Sequence, residues 1–154
     1  MLALYSCICT NPTYAATYRF LPPKGFAPTA IALNCGVYTE SMKPDADGNL
    51  NLIQQLLIDY LPEKGTEAEL EQINVLRHIT PSFPPAFLMT CNGDFLKEQA
   101  PILAEKLARE EVPHLSRFYG SKDHMLGHVF HCDVKSADAA LCNEEECSFF
   151  RNYL

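Results

Sequence analysis

The chain has 154 residues, a formal net charge of −7, 47% hydrophobic residues and 20% charged ones. That length suits one domain, 1–154, able to bury roughly 70% of its unfolded surface. The acidic balance, with no cluster of Lys and Arg, argues against nucleic acid and anionic membranes as partners.

The seven cysteines are an odd number scattered through apolar context. They read as reduced thiols of a cytoplasmic protein rather than as a disulfide framework. Met1 to Leu4 contain no basic leader region, and no apolar run is long enough to span a bilayer.

In chain order, Met1 to Cys9 reads as the end of a helix whose beginning is missing, stopped by Asn11-Pro12. Residues 30–37, Ala-Ile-Ala-Leu-Asn-Cys-Gly-Val, are apolar on both faces, as in a parallel strand covered by helices. Residues 41–80 read as a helical insertion. A polar turn at Asp45 to Asn49 precedes Leu50, Ile53, Leu56, Leu57 and Tyr60 at helical spacing. Thr66-Glu67-Ala68-Glu69 is a capping box opening a second helix.

Ala86 to Cys91 is a second buried strand, and Leu115 to Tyr119 a third that alternates as edge strands do. A helix over 97–110 lies between them, with Leu96, Leu103 and Leu107 on one face and Pro101 tolerable only in the first turn. Strand, helix and strand form a βαβ crossover. A last helix is expected from Asn143 as N-cap, with Glu144 to Glu146 in its first turn and Phe149 and Phe150 as anchor.

Two residues stand where open α/β sheets place their chemistry, beyond the C-terminal ends of strands. Asp94 follows the second strand, and a carboxylate there can orient an imidazole. Taken alone, it is equally a helix cap. His128 lies in the loop after the third strand, where Gly127 permits a tight backbone. Taken alone, it is equally a solvent-facing side chain. Together, acid after one strand and histidine after the next follow the order of the α/β-hydrolase triad.

At this point the residues resemble a family. Phe83-Pro84-Pro85-Ala86-Phe87-Leu88-Met89-Thr90, then Gly93-Asp94-Phe95-Leu96, then Gly127-His128-Val129-Phe130 is similar to the C-terminal half of the esterase/lipase family that includes acetyl esterases and hormone-sensitive-lipase-like enzymes. Cys142-Asn143-Glu144-Glu145 followed by Phe149-Phe150 is similar to its bacterial members, and the resemblance covers about residues 20–154. It implies an α/β fold, a partial three-layer hydrolase with about three parallel strands, flanking helices and 41–80 as a lid-like insertion. It implies hydrolysis of a small carboxylic ester, with Asp94 as triad acid and His128 as triad base, and no cofactor or metal.

The departure from the family is large. None of Ser6, Ser41, Ser82, Ser116, Ser121, Ser136 and Ser148 sits in a Gly-x-Ser-x-Gly elbow, and no HGGG-like oxyanion loop is present. Without the serine no acyl-enzyme forms, and without the oxyanion donors a contribution of about 3–4 kcal/mol is lost. The expectation is a chain that begins just after the serine and is inactive alone. The alternative is a non-catalytic module that completes its sheet with another chain. Either way, the strand near 30–37 offers an open edge for self-association. Two other readings carry less. His124, His128, His131 and Cys132 could suggest zinc, but Gly127 weakens a helix there and the Glu of His-Glu-x-x-His is missing. Cys91 could suggest a nucleophile, but it precedes the acid and suits the core.

Overall fold

A computed structural model describes residues 1–19 and 22–154. The first two positions of the family resemblance, 20 and 21, lie outside the described residues. Helix α1 spans Leu2–Thr10, and Asn11 does not simply end it. The Asn11 side chain accepts the Tyr14 N–H and caps a second short helix, α2 (Pro12–Ala15), whose proline stands at the first helical position. Proline costs nothing there, because its missing N–H would be unpaired anyway.

Strand β1 spans Ile31–Asn34, shorter than the 30–37 expected from the apolar run. Cys35 ends it by turning to φ 49°, the left-handed region, although its N–H still donates to Met89 O at 2.9 Å. The insertion that follows holds α3 (Leu52–Tyr60), α4 (Glu67–Ile73) and α5 (Val75–His78). Two of these helices open with reciprocal capping boxes, Thr66 with Glu69 as expected and Asn51 with Gln54. In each box one side chain satisfies the other's orphan amide.

Strand β2 spans Ala86–Cys91, α6 spans Gln99–Arg109 and β3 spans His114–Tyr119. Pro101 is the third residue of α6, inside the first turn. Helix α7 runs Ala137–Arg151 with Ser136 at its N-cap position, so its cap lies about two turns before Asn143. Asn143 lies within the helix, and its amide reaches out to donate to His131 O at 3.1 Å. Glu144 to Glu146 therefore leave the first turn: Glu144 pairs with Arg151 along the helix, while Glu146 accepts from Asn34 and Glu145 from Arg117 and Tyr119 of the sheet.

The three strands are parallel in the order β1-β2-β3. The central strand is buried at all six positions, which is why its sequence is apolar without alternation. Its side chains still alternate between two cores. Ala86 and Leu88 face α1, α5 and α6, where Ala3, Cys7, Val75, Ile79, Leu103 and Leu107 pack. Phe87, Met89 and Cys91 face α7, where Cys142 and Phe149 pack. This two-sided burial gives a three-layer sandwich and sends the strand ends toward one rim. Among the described residues, no helix is long and apolar enough to cross a membrane.

Candidate active site

Past the end of β2 the chain turns sharply: the Asp94 N–H donates to Cys91 O at 3.1 Å and the Lys97 N–H to Asp94 O at 3.2 Å. Gly93 lies directly under the loop that carries His128, pairing with Gly127 and donating its N–H to Leu126 O at 3.0 Å. A Cβ on Gly93 would stand 2.5 Å from that carbonyl oxygen, so a larger residue cannot sit there unless the backbone moves. The close approach is at Gly93, not at Gly127 as expected: a Cβ on Gly127 would meet nothing within 4 Å.

These turns bring Asp94 and His128 together. Asp94 Oδ1 lies 2.7 Å from His128 Nδ1. The same oxygen accepts the Leu96 N–H at 2.9 Å, and Oδ2 accepts the Thr90 hydroxyl at 2.8 Å. The Asp94 side chain is fully buried, whereas that of His128 is 32% exposed. Burial pushes the Asp94 pKa up, but hydrogen bonds from the Leu96 N–H, His128, Thr90 and Cys35 outweigh it and hold the carboxyl below its usual range. An ionised carboxylate only accepts hydrogen bonds, so the shared proton sits on Nδ1 and leaves the other ring nitrogen as acceptor. Asp94 is not the cap of α6, whose N-cap position is Glu98.

Two residues around the pair carried no functional expectation in the sequence. The Asn92 carboxamide ties the histidine loop down: Oδ1 accepts the Leu126 N–H at 2.9 Å, and Nδ2 donates to Ser121 O at 2.6 Å and His124 O at 3.1 Å. An Asn-Gly-Asp string after a buried strand is the signal that could have found it. Cys35, at the end of β1, is the other. Its sulfur, a carboxylate oxygen of Asp94 and a ring nitrogen of His128 all lie within 4.8 Å of one another. Burial pushes the Cys35 thiol up to about 12, so it is a neutral donor rather than a nucleophile. Cys91 is fully buried, and its thiol donates to Leu126 O and Gly127 O at 3.1 and 3.2 Å. It belongs to the scaffold.

The zinc reading of His124, His128, His131 and Cys132 meets a different arrangement. His124 Nε2 lies 2.9 Å from Asp138, His128 is engaged by Asp94, and Cys132 is exposed. Phe95 lies against the imidazole of His128 with ring centroids 4.5 Å apart. The same phenyl ring lines a cleft of about 340 Å³ walled by Asn51, Leu52 and Ile53 from the insertion and by Leu96 and Gln99. A second, mostly apolar cleft of about 210 Å³ lies between α1 and the insertion, lined by Met1, Leu4, Tyr38, Leu57 and Tyr60.

No protein-family model and no curated protein matches the chain. Solved structures do. Esterase B from Lactobacillus rhamnosis (HN001) superposes with a TM-score of 0.79 at 20% identity, over 98% of this chain and 48% of that one. The same esterase inhibited by a C4-C4 SN3 tributyrin phosphonate gives the same values. Its C6-C4 SN3 inhibited form gives 0.77 at 19%, over 98% and 49%. The chain thus spans about half the length of these structures, as a C-terminal half would. With three parallel strands, helices on both faces and this superposition, the chain has an α/β-hydrolase fold, of which it spans about half.

Proposed function

We propose that this chain supplies the acid and the base of a carboxylic ester hydrolase. The observation that carries the reading is the 2.7 Å contact between the buried Asp94 carboxylate and Nδ1 of the partly exposed His128. Asp94 fixes the imidazole with its proton on Nδ1 and stabilises the imidazolium that forms when Nε2 takes a proton. His128 removes the proton of a serine hydroxyl as that oxygen attacks the ester carbonyl, then returns it to the leaving alcohol. A water molecule, deprotonated by the same nitrogen, releases the acid. The cleft beside Phe95 is where the acyl or alcohol group of a small ester would lie, under the lid-like insertion.

The serine and its oxyanion donors come from outside these 154 residues, because no serine here sits in a nucleophile elbow. On this reading the chain alone turns over no ester. The test is hydrolysis of p-nitrophenyl butyrate by the purified chain beside Asp94→Asn and His128→Ala. The expected result is that none of the three proteins hydrolyses the ester above the uncatalysed background. Turnover that both variants keep contradicts the assignment of the pair. Turnover that both abolish supports the pair but places a nucleophile within this chain.

A second reading, a module that completes its sheet with another chain, is favoured by one observation. Strand β1 stands at the sheet edge, with β2 on one side and no strand on the other among the described residues. Such an edge presents unpaired N–H and C=O groups to a partner strand.

A further inference from the structure

Three side chains with metal-ligating atoms converge at the rim of the sheet, and ester chemistry uses only two of them. We propose that Cys35, Asp94 and His128 form a binding site for a thiophilic divalent cation, zinc by preference.

Geometry carries the proposal. The three ligating atoms come from three separate elements, the end of β1, the turn after β2 and the loop after β3, yet lie within 4.8 Å of one another. Zinc bonds of about 2.0–2.3 Å in a tetrahedral site require ligand atoms roughly 3.3–3.8 Å apart. Closing the wider separations and opening the 2.7 Å Asp94–His128 contact by less than an ångström are small side-chain adjustments. Two of the ligands are buried, unlike the solvated acidic groups that cluster on protein surfaces without binding anything.

The donor set selects the ion. One sulfur, one imidazole nitrogen and one carboxylate oxygen suit a borderline-soft cation, whereas calcium and magnesium want oxygen donors in larger number. Asp94 is already held by the Thr90 hydroxyl and the Leu96 N–H, the supporting contacts that orient a carboxylate ligand. The ion enters from the side of His128, the ligand open to solvent, and a water completes the fourth position.

The proton balance is simple. The neutral Cys35 thiol releases one proton to solvent as the sulfur–metal bond forms. The neutral imidazole gives up the Nδ1 proton that faces Asp94 as Nδ1 binds the ion, and takes one on Nε2, so its single proton changes nitrogen without a change of charge. Binding needs only the three side chains. On the hydrolase reading given above, the bound ion is an inhibitor, because it engages both members of the pair that moves the proton.

The test uses the whole chain, purified under a phosphine reductant and titrated with cobalt(II), whose bond to a thiolate gives a near-ultraviolet charge-transfer band. The expected result is saturation at one ion per chain, with zinc displacing cobalt at equal stoichiometry. Cys35→Ser removes the band, and Cys132→Ser with Cys147→Ser, both exposed and outside the three-residue cluster, leaves it. His128→Ala, at a partly exposed position and checked by circular dichroism, weakens affinity at least about tenfold, since even supporting residues contribute that much. No saturable uptake overturns the proposal, as does a band that survives Cys35→Ser or disappears with the exposed cysteines. Because no turnover is read, these outcomes are independent of whether the pair catalyses ester hydrolysis.

Discussion

Asn92 Oδ1 accepts the backbone N–H of Leu126 at 2.9 Å, and this bond fastens the loop of the candidate base to the turn of the candidate acid. The same carboxamide reaches Ser121 and His124 on the other limb of that loop. Asn92→Ala breaks all three bonds and leaves the Leu126 N–H to find another partner. A destabilisation of about 1–3 kcal/mol is expected, as for a few ordinary hydrogen bonds partly replaced by water. Urea denaturation measures it. Asn92→Asp keeps the Leu126 bond but sets an acceptor-only carboxylate oxygen against the Ser121 and His124 carbonyls, so it should destabilise at least as much as alanine.

His131 makes stability depend on pH near neutrality. Burial lowers its pKa below 6.5, with Glu146 opposing in part, and its Nδ1 is buried with no hydrogen-bond partner among the described residues. The unfolded chain therefore binds a proton at a higher pH than the folded one. Stability is full above about pH 6.5 and is lost as pH falls from there toward the folded pKa, where the slope from this residue ends. His131→Gln should flatten the loss. Thermal melts of both proteins across that window check it, and an equal pH slope in the two contradicts the assignment.

The open edge of β1 has a specific chemical test. Ile31 and Cys35 direct their N–H groups inward, to Pro85 O and Met89 O, so by strand alternation Ala32 directs its own outward. Ala32→Pro removes an outward donor without removing a bond to β2. If the chain self-associates through this edge, the variant should shift to a smaller species in light scattering while its melting temperature changes little. Equal mass for both proteins at every concentration contradicts association through β1.

Much of the fold was legible because burial writes itself into sequence. Strand β2 was readable to the residue because all six positions are buried, and α6 to within two residues because Leu103 and Leu107 share one covered face. Asp94 and His128 were legible as a pair because both follow strands, and the fold places them in contact. The end of β1 was not. Cys35 is as apolar as its neighbours, and only its left-handed backbone, invisible in composition, ends the strand and sets its sulfur beside the pair. The start of α7 was missed for a related reason. Ser136 and Asn143 are both fit to cap, and the choice depends on a tertiary contact, the His131 carbonyl that takes the Asn143 amide.

If the pair works as proposed, Asp94 holds His128 with its proton on Nδ1 and leaves Nε2 free to accept another. Long-range proton–nitrogen correlation spectra of the labelled imidazoles, recorded at a mildly alkaline pH, test it most directly. The expected result is the Nδ1–H tautomer for His128 in the wild-type chain and its loss or averaging in Asp94→Asn. A His128 ring protonated on Nε2 in the wild type, or a tautomer that ignores the Asp94 substitution, would contradict it.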